Sequence, residues 1–239
     1  MKTSGKHIFL IGFLALLLFL LLFRLPFIDV FRQSRETTVV VLDVGHGGFD
    51  PGKVSVDNTL EKDINLAIAL RLKAYLEAQD CIVYLTREED RSLADEGARN
   101  KKQSDMQNRI TFVEEIQPAL MVSIHQNSFS SPSVHGAQVF YYHTSDNSQL
   151  LAEYIQNSLI ETVDPENNRK HKSNDSYYVL KNVSCPAVIV ECGFLSNPTE
   201  SALLNTDIYQ DEIAYAISKG VRMYLNELES RSSEGISRK

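Results

Sequence analysis

The chain predicts an α/β fold: a single twisted, mostly parallel sheet with helices on both faces, preceded by an N-terminal membrane-anchor helix. Three observations carry that expectation. Short apolar runs alternate with longer amphipathic ones from Thr38 to Leu228, the pattern of strands and helices laid down in turn. At 239 residues and 43% apolar, the chain has enough material for one domain with a sizeable core plus an appendage. The appendage is visible near the start, where Ile8 to Phe23 carries no charge.

That first segment follows Lys2 and Lys6 and ends at Arg24. Its sixteen residues are short for a span of about 20 residues. However, Arg24 can snorkel, and Leu25 to Ile28 continue the apolar character. The basic flank precedes the apolar run, so the N-terminus is expected inside and everything after it outside. No small-residue cleavage site of the A-x-A kind follows, because LFRLPFIDVFRQSRE is bulky. An uncleaved anchor is therefore favoured over a cleaved signal, and in either case the remainder is membrane-anchored or secreted, on the extracytoplasmic side. The boundaries drawn are 1–33 for anchor and linker, 34–229 for the main domain and 230–239 for a polar tail expected to be disordered.

Thr38–Val44 reads as the first strand. Lys62–Gln79 reads as a helix with Ile64, Ala67, Ile68, Leu72 and Leu76 on one face. Cys81–Thr86 is a second strand. Glu88 to Lys102 holds nine charged residues in fifteen, which argues a loop. Met106–Ile116 is a helix starting near Ser104 or Asp105, Ala119–His125 and Ala137–Tyr142 are strands, and Asn147–Val163 is a helix. DPENNRKHKSND, Asp164 to Asp175, is a loop, and Tyr177–Leu180 and Ala187–Glu191 are read as strands. Asn197-Pro198-Thr199-Glu200 is a helix start, with Asn as cap and Pro at the first helical position. Asp211–Leu228 closes the domain as a helix.

Charge excludes one class of partner. Beyond residue 28 the chain holds 21 basic against 31 acidic residues, which does not suit nucleic-acid phosphates. Cys81, Cys185 and Cys192 show no CxxC spacing, and buried free thiols account for them. Cys192 adjoins Glu191, but neighbours on a strand point to opposite faces.

The chemistry concentrates at the ends of the apolar runs. His46 follows the first strand, His125 ends ALMVSIHQN, and Glu191 ends PAVIVECGFLSN. Glu61 opens the first helix of the domain. Hydrolase zinc sites commonly use three protein ligands of the His/His/Glu kind with a fourth position left for water, and a further carboxylate can take a proton from that water. A lone His after an apolar run is usually a hydrogen-bonded structural residue, and a Glu in a first helical turn is favoured by the dipole anyway. Two histidines at the C-terminal edge of a parallel sheet are harder to dismiss, since ligands bind there. Glu191 is costly after an apolar run unless it is paired or functional. Asn127 could hold its loop or the substrate; Arg87 could meet a substrate carboxylate or pair with a neighbouring acid. His135 and His143 are read as surface or packing residues.

HGGFDPG, EKDINLAIAL, LTR at Leu85 to Arg87, SIHQNSF and PAVIVECGFLSNPTE together resemble the signature set of the zinc-dependent N-acetylmuramoyl-L-alanine amidases. The resemblance runs from about residue 38 to 228 and keeps the family's order of motifs. It implies zinc held by His46, Glu61 and His125, Glu191 as the catalytic acid–base, and peptidoglycan glycan strands as substrate. Gln126 departs from the Ala that many relatives carry there. The anchor, the bare catalytic domain and NNRKHKSNDSYYVLKNVSCPAVIVECGFLSN are similar to the germination-specific type of spore-forming bacteria. That similarity implies action on spore cortex, as the first step towards muramic-δ-lactam and before a peptidoglycan deacetylase, with room for an exported accessory protein. Two other readings share the same residues: a zinc exopeptidase acting on ordinary peptides, and a peptidoglycan-binding membrane protein without catalysis.

Overall fold

The computed structural model describes residues 9, 10, 12–19, 37–55 and 57–237. The chain divides into two units, Met1–Thr37 and Thr38–Lys239. In the first, residues 9, 10 and 12–19 are helical and their apolar side chains are exposed. Most of the anchor expected over residues 8–28 lies outside the described residues. Among those described, no helix is long and apolar enough to cross a membrane.

The second unit is a six-stranded sheet in the order β2-β1-β3-β6-β4-β5. The strands are β1 Val39–Val44, β2 Ile82–Leu85, β3 Leu120–Asn127, β4 Gln138–Tyr141, β5 Lys172–Ser173 and β6 Ala187–Phe194. The first four positions of that order are joined in parallel, and β4 runs antiparallel to β6. The helices are α1 Glu61–Glu77, α2 Lys101–Ile116, α3 Asp146–Thr162, α4 Tyr178–Asn182, α5 Pro198–Leu204 and α6 Asp207–Ser237.

Strand alternation sorts the side chains into two cores. Val40, Leu42 and Val44, Leu120, Val122 and Ile124, and Val188, Val190 and Cys192 point to the larger one, closed by α1, α3 and α6. Val41, Met121, Ala187 and Ile189 point the other way, to a smaller core shared with Val113 of α2 and Val179 and Leu180 of α4. That smaller core covers only part of its face. Asp43, Ser123, His125 and Glu191 share its side of the central strands, and a cleft opens there. Cys192 therefore faces away from Glu191, as the alternation requires, and burial pushes its thiol up. Cys81 is also buried, while Cys185 is only half-buried.

Several elements differ from the sequence expectation. The run Tyr177–Leu180 is not a strand: the chain turns at Tyr177 and continues as α4. A two-residue strand, β5, forms inside the expected loop. α2 begins at Lys101, where Asn100 accepts the Gln103 N–H at 3.1 Å as its cap. The tail is helical to Ser237 rather than disordered, with Arg231 paired to Glu227 one turn back at 2.8 Å. The Asn197 cap forms as read, its Oδ1 accepting from the N–H groups of Thr199 and Glu200.

Candidate active site

β1, β3 and β6 end at the same edge of the sheet, and the first parts there to make the site. After Val44 the chain leaves the ladder through Gly45, whose N–H donates to the Ile124 carbonyl at 3.2 Å. A Cβ on Gly45 would lie 2.4 Å from His125 Cε1, so only glycine lets the two strands bring their histidines together. His46 itself has φ +61°, a left-handed conformation that a non-glycine residue adopts only when its surroundings hold it.

The holding groups are two buried arginines. Arg87 Nε donates to the His46 carbonyl at 2.8 Å and Arg109 Nη2 to the same oxygen at 2.7 Å. Arg87 also donates to the carbonyls of Gly45 at 3.0 Å, Lys62 at 2.7 Å and Glu89 at 3.1 Å. It is 1% exposed, and burial, with the neighbouring Arg109 charge, lowers its pKa to about 10. Its donors thus go to backbone carbonyls, neither to a substrate carboxylate nor to an ion pair, and its place is beneath the His46 loop. Arg109 completes the support through Asp43 and Asp105, each at 2.6 Å. Burial would raise the Asp43 carboxyl, but the Arg109 charge and the Ser123 hydroxyl hold it below the usual range.

His46 from this loop, Glu61 from the start of α1 and His125 from β3 meet beside it. His46 Nε2 and His125 Nδ1 each lie 3.1 Å from Glu61 Oε1, with the rings edge to face at 4.9 Å between centroids. All three ligand atoms fall within 4.8 Å of one another. Two ligands about 2.0–2.2 Å from one tetrahedral zinc stand roughly 3.3 Å apart, so these separations fit a shared ion. The far side of His46 is also set: Nδ1 is 3.0 Å from Asp50 Oδ2, the carboxylate–imidazole pairing that fixes the tautomer of a metal-binding histidine. Burial would lower His46, yet Glu61 and Asp50 raise it. Burial would raise Glu61, yet the two imidazoles hold it far below the carboxylate range.

Glu61 is oriented further by the Lys53 N–H at 2.7 Å and the Gln126 N–H at 3.0 Å. Gln126 also donates through its side chain to Asn65 at 3.2 Å, and Asn65 reaches the Gly45 carbonyl at 3.2 Å. The departure at residue 126 therefore sits in the scaffold behind Glu61.

Glu191 is the register partner of His125 on adjacent strands, so both side chains leave the same face at strand spacing. It is buried; Oε1 accepts the Tyr177 hydroxyl at 2.9 Å, and Oε2 is buried without a partner among the described residues. Burial raises its pKa, with His125 opposing. Asn127 ends β3, where its carbonyl accepts the Leu195 N–H and its side chain the Ser128 N–H. His143 is exposed and pairs with Asp175. The sequence reading missed Asp50, Tyr177, Asp43 and Arg109. Only Asp50 had a local signal, lying four residues after His46 in the same motif.

The cleft beside these residues is lined by His46, His125, Phe49, Met106, Tyr177 and Tyr178. A cleft that sets aromatic and apolar side chains beside a cluster of polar groups suits a ligand bound with a polar bond held at that cluster.

Known proteins are similar to this chain in sequence and fold. The family described as N-acetylmuramoyl-L-alanine amidase matches residues 40–223. The germination-specific N-acetylmuramoyl-L-alanine amidase of Bacillus subtilis is 37% identical over 225 residues, which is 92% of this chain and 94% of that protein. The probable cell wall amidase LytH of Staphylococcus aureus is 30% identical over 82% of this chain and 61% of its own length. Among solved structures, the CwlD amidase of Clostridioides difficile, in complex with the GerS lipoprotein, is 42% identical with a TM-score of 0.78, covering 80% of this chain and 99% of that one. AmiC2 of Nostoc punctiforme is 33% identical with a TM-score of 0.70, over 79% and 97%. Matches of this extent, spanning every strand that builds the cleft, mean that the chain belongs to the N-acetylmuramoyl-L-alanine amidase family and is a peptidoglycan amidase.

Proposed function

We propose that this amidase is zinc-dependent, with His46, Glu61 and His125 as ligands and Glu191 as general acid–base, and that it strips stem peptides from spore-cortex glycan. The observation that carries the chemical part is the trio of donor atoms around Glu61 Oε1 with a buried carboxylate one strand away. Bound zinc would supply a Lewis acid for the scissile carbonyl and a water of lowered pKa. Glu191, as the carboxylate, takes the proton from the attacking water, burial making it a stronger acceptor, and returns that proton to the departing alanine nitrogen. Asp50 keeps the His46 ring in its ligand orientation, and the two arginines keep the loop that carries it in place.

The cellular part rests on likeness to germination-specific relatives. In this reading residues 1–33 anchor the enzyme, residues 34–229 act outside the membrane, and the exposed peptides leave as the first step to muramic-δ-lactam, before a deacetylase acts. An exported lipoprotein partner, such as the one bound to the Clostridioides difficile relative, fits the same setting. Mass spectrometry of digested peptidoglycan tests the chemistry: bare muramic acid is expected, and peptide fragments released from ordinary peptides but not from glycan would refute it. Deleting the gene tests the setting: lactam should vanish from the cortex, and normal lactam content would remove the spore role.

A further inference from the structure

Tyr177 touches the acid–base carboxylate of the proposed reaction and is not one of the three proposed ligands. Its hydroxyl donates to Glu191 Oε1 at 2.9 Å, while Oε2 is buried with no partner among the described residues. The ring is not free to swing. It packs edge to face on Phe140 of β4 at 5.5 Å between centroids. Its backbone is pinned from both sides: the Tyr177 N–H donates to Asn174 Oδ1 at 3.1 Å, and its carbonyl accepts the Lys181 N–H at 3.2 Å to start α4. Asn174 is in turn tied to the sheet, its N–H donating to the Tyr141 carbonyl at 2.8 Å. β4, the turn and α4 thus combine to aim one hydroxyl at one oxygen.

We propose that Tyr177 is a positioning residue for the amidase reaction: by occupying Oε1 it fixes the rotation of the Glu191 carboxylate and leaves Oε2 as the oxygen that exchanges the proton. This rests on Glu191 being the acid–base group. A carboxylate tethered at one oxygen presents the other in a single orientation, whereas an untethered one in a pocket spreads over several, and small losses of alignment cost rate steeply. The hydroxyl keeps its own proton throughout, because burial and the adjacent carboxylate raise its pKa far above neutrality.

The test uses Tyr177→Phe, which keeps the ring on Phe140 and removes only the donor. Full-length enzyme is assayed on a soluble muropeptide with zinc content and thermal midpoint measured alongside. Loss of a hydrogen bond to a charged group predicts a fall in kcat of about tenfold to a hundredfold, with KM and zinc content unchanged and the midpoint lowered but well above the assay temperature. In a Glu191→Gln background, followed over long digests, the same substitution should cost nothing further, because the tethered group is already disabled. Wild-type kcat in Tyr177→Phe, an equal loss in both backgrounds, or a loss that tracks missing zinc would each overturn the positioning role. A Glu191→Gln enzyme of normal activity would instead overturn the acid–base reading beneath it.

Discussion

Replacing Arg109 by Met should expose how the His46 loop is supported, through the pH dependence of the damage. Arg109 is 4% exposed and bonds Asp43, Asp105 and the carbonyls of Val44 and His46, all at 2.6–2.7 Å. Removing one partner of a buried ion pair costs about 3–5 kcal/mol. What remains is a buried Asp43 carboxylate with only the Ser123 hydroxyl at 2.6 Å and the Thr86 hydroxyl at 3.2 Å. In the native protein its pKa is depressed, so its contribution is present above the unfolded pKa and disappears only in strong acid. In the variant the sign reverses, because burial now acts without the guanidinium. A carboxylate so stranded rises by roughly 3 units, at about 1.4 kcal/mol per unit. The folded variant then binds a proton that the unfolded chain does not, and its deficit against wild type should narrow by about 2 kcal/mol between pH 7.5 and pH 5. Urea unfolding of metal-stripped residues 38–239 at the two pH values measures this, the histidine titrations being shared by both proteins. A deficit that stays constant or grows on acidification would refute the account.

Glu191→Gln should retain zinc and lose about 10² to 10⁴ in kcat; steady-state kinetics with elemental analysis checks both halves. His46→Ala with His125→Ala should bind no zinc, and full occupancy in that double variant would exclude the assigned ligands. Asp50→Asn should weaken zinc binding by about 10- to 100-fold, measured by competition with a chelator, while folding of the metal-free protein is unchanged.

The sheet and the ends of its central strands were legible because burial there demands apolar runs, and the interruption of such a run by His125 or Glu191 stands out. Helix starts were legible where a cap announces them, as at Asn197. Tyr177 was not, because the apolar Tyr-Tyr-Val-Leu stretch has strand propensity, and the decision to turn into α4 is made by Asn174 and by packing on Phe140. Arg87 was misread for a similar reason. A charged residue after a strand looks available to a ligand, and only the loop folded over it shows that its donors are committed to main-chain oxygens. The tail read as disordered for its polarity, yet it continues a helix already nucleated by the buried part of α6, so only propagation was required.

β1 leaves the ladder at Gly45, and β3 continues beyond it. The Gln126 N–H, which would otherwise await a strand on that side, is taken by Glu61 Oε1 at 3.0 Å. A side-chain oxygen thus stands where a neighbouring backbone carbonyl would be. The amide proton of Gln126 is consequently a built-in spectroscopic reporter. Any ion that draws electron density from Oε1 weakens that hydrogen bond, so its chemical shift should follow metal loading, one residue at a time, without a label placed in the cleft.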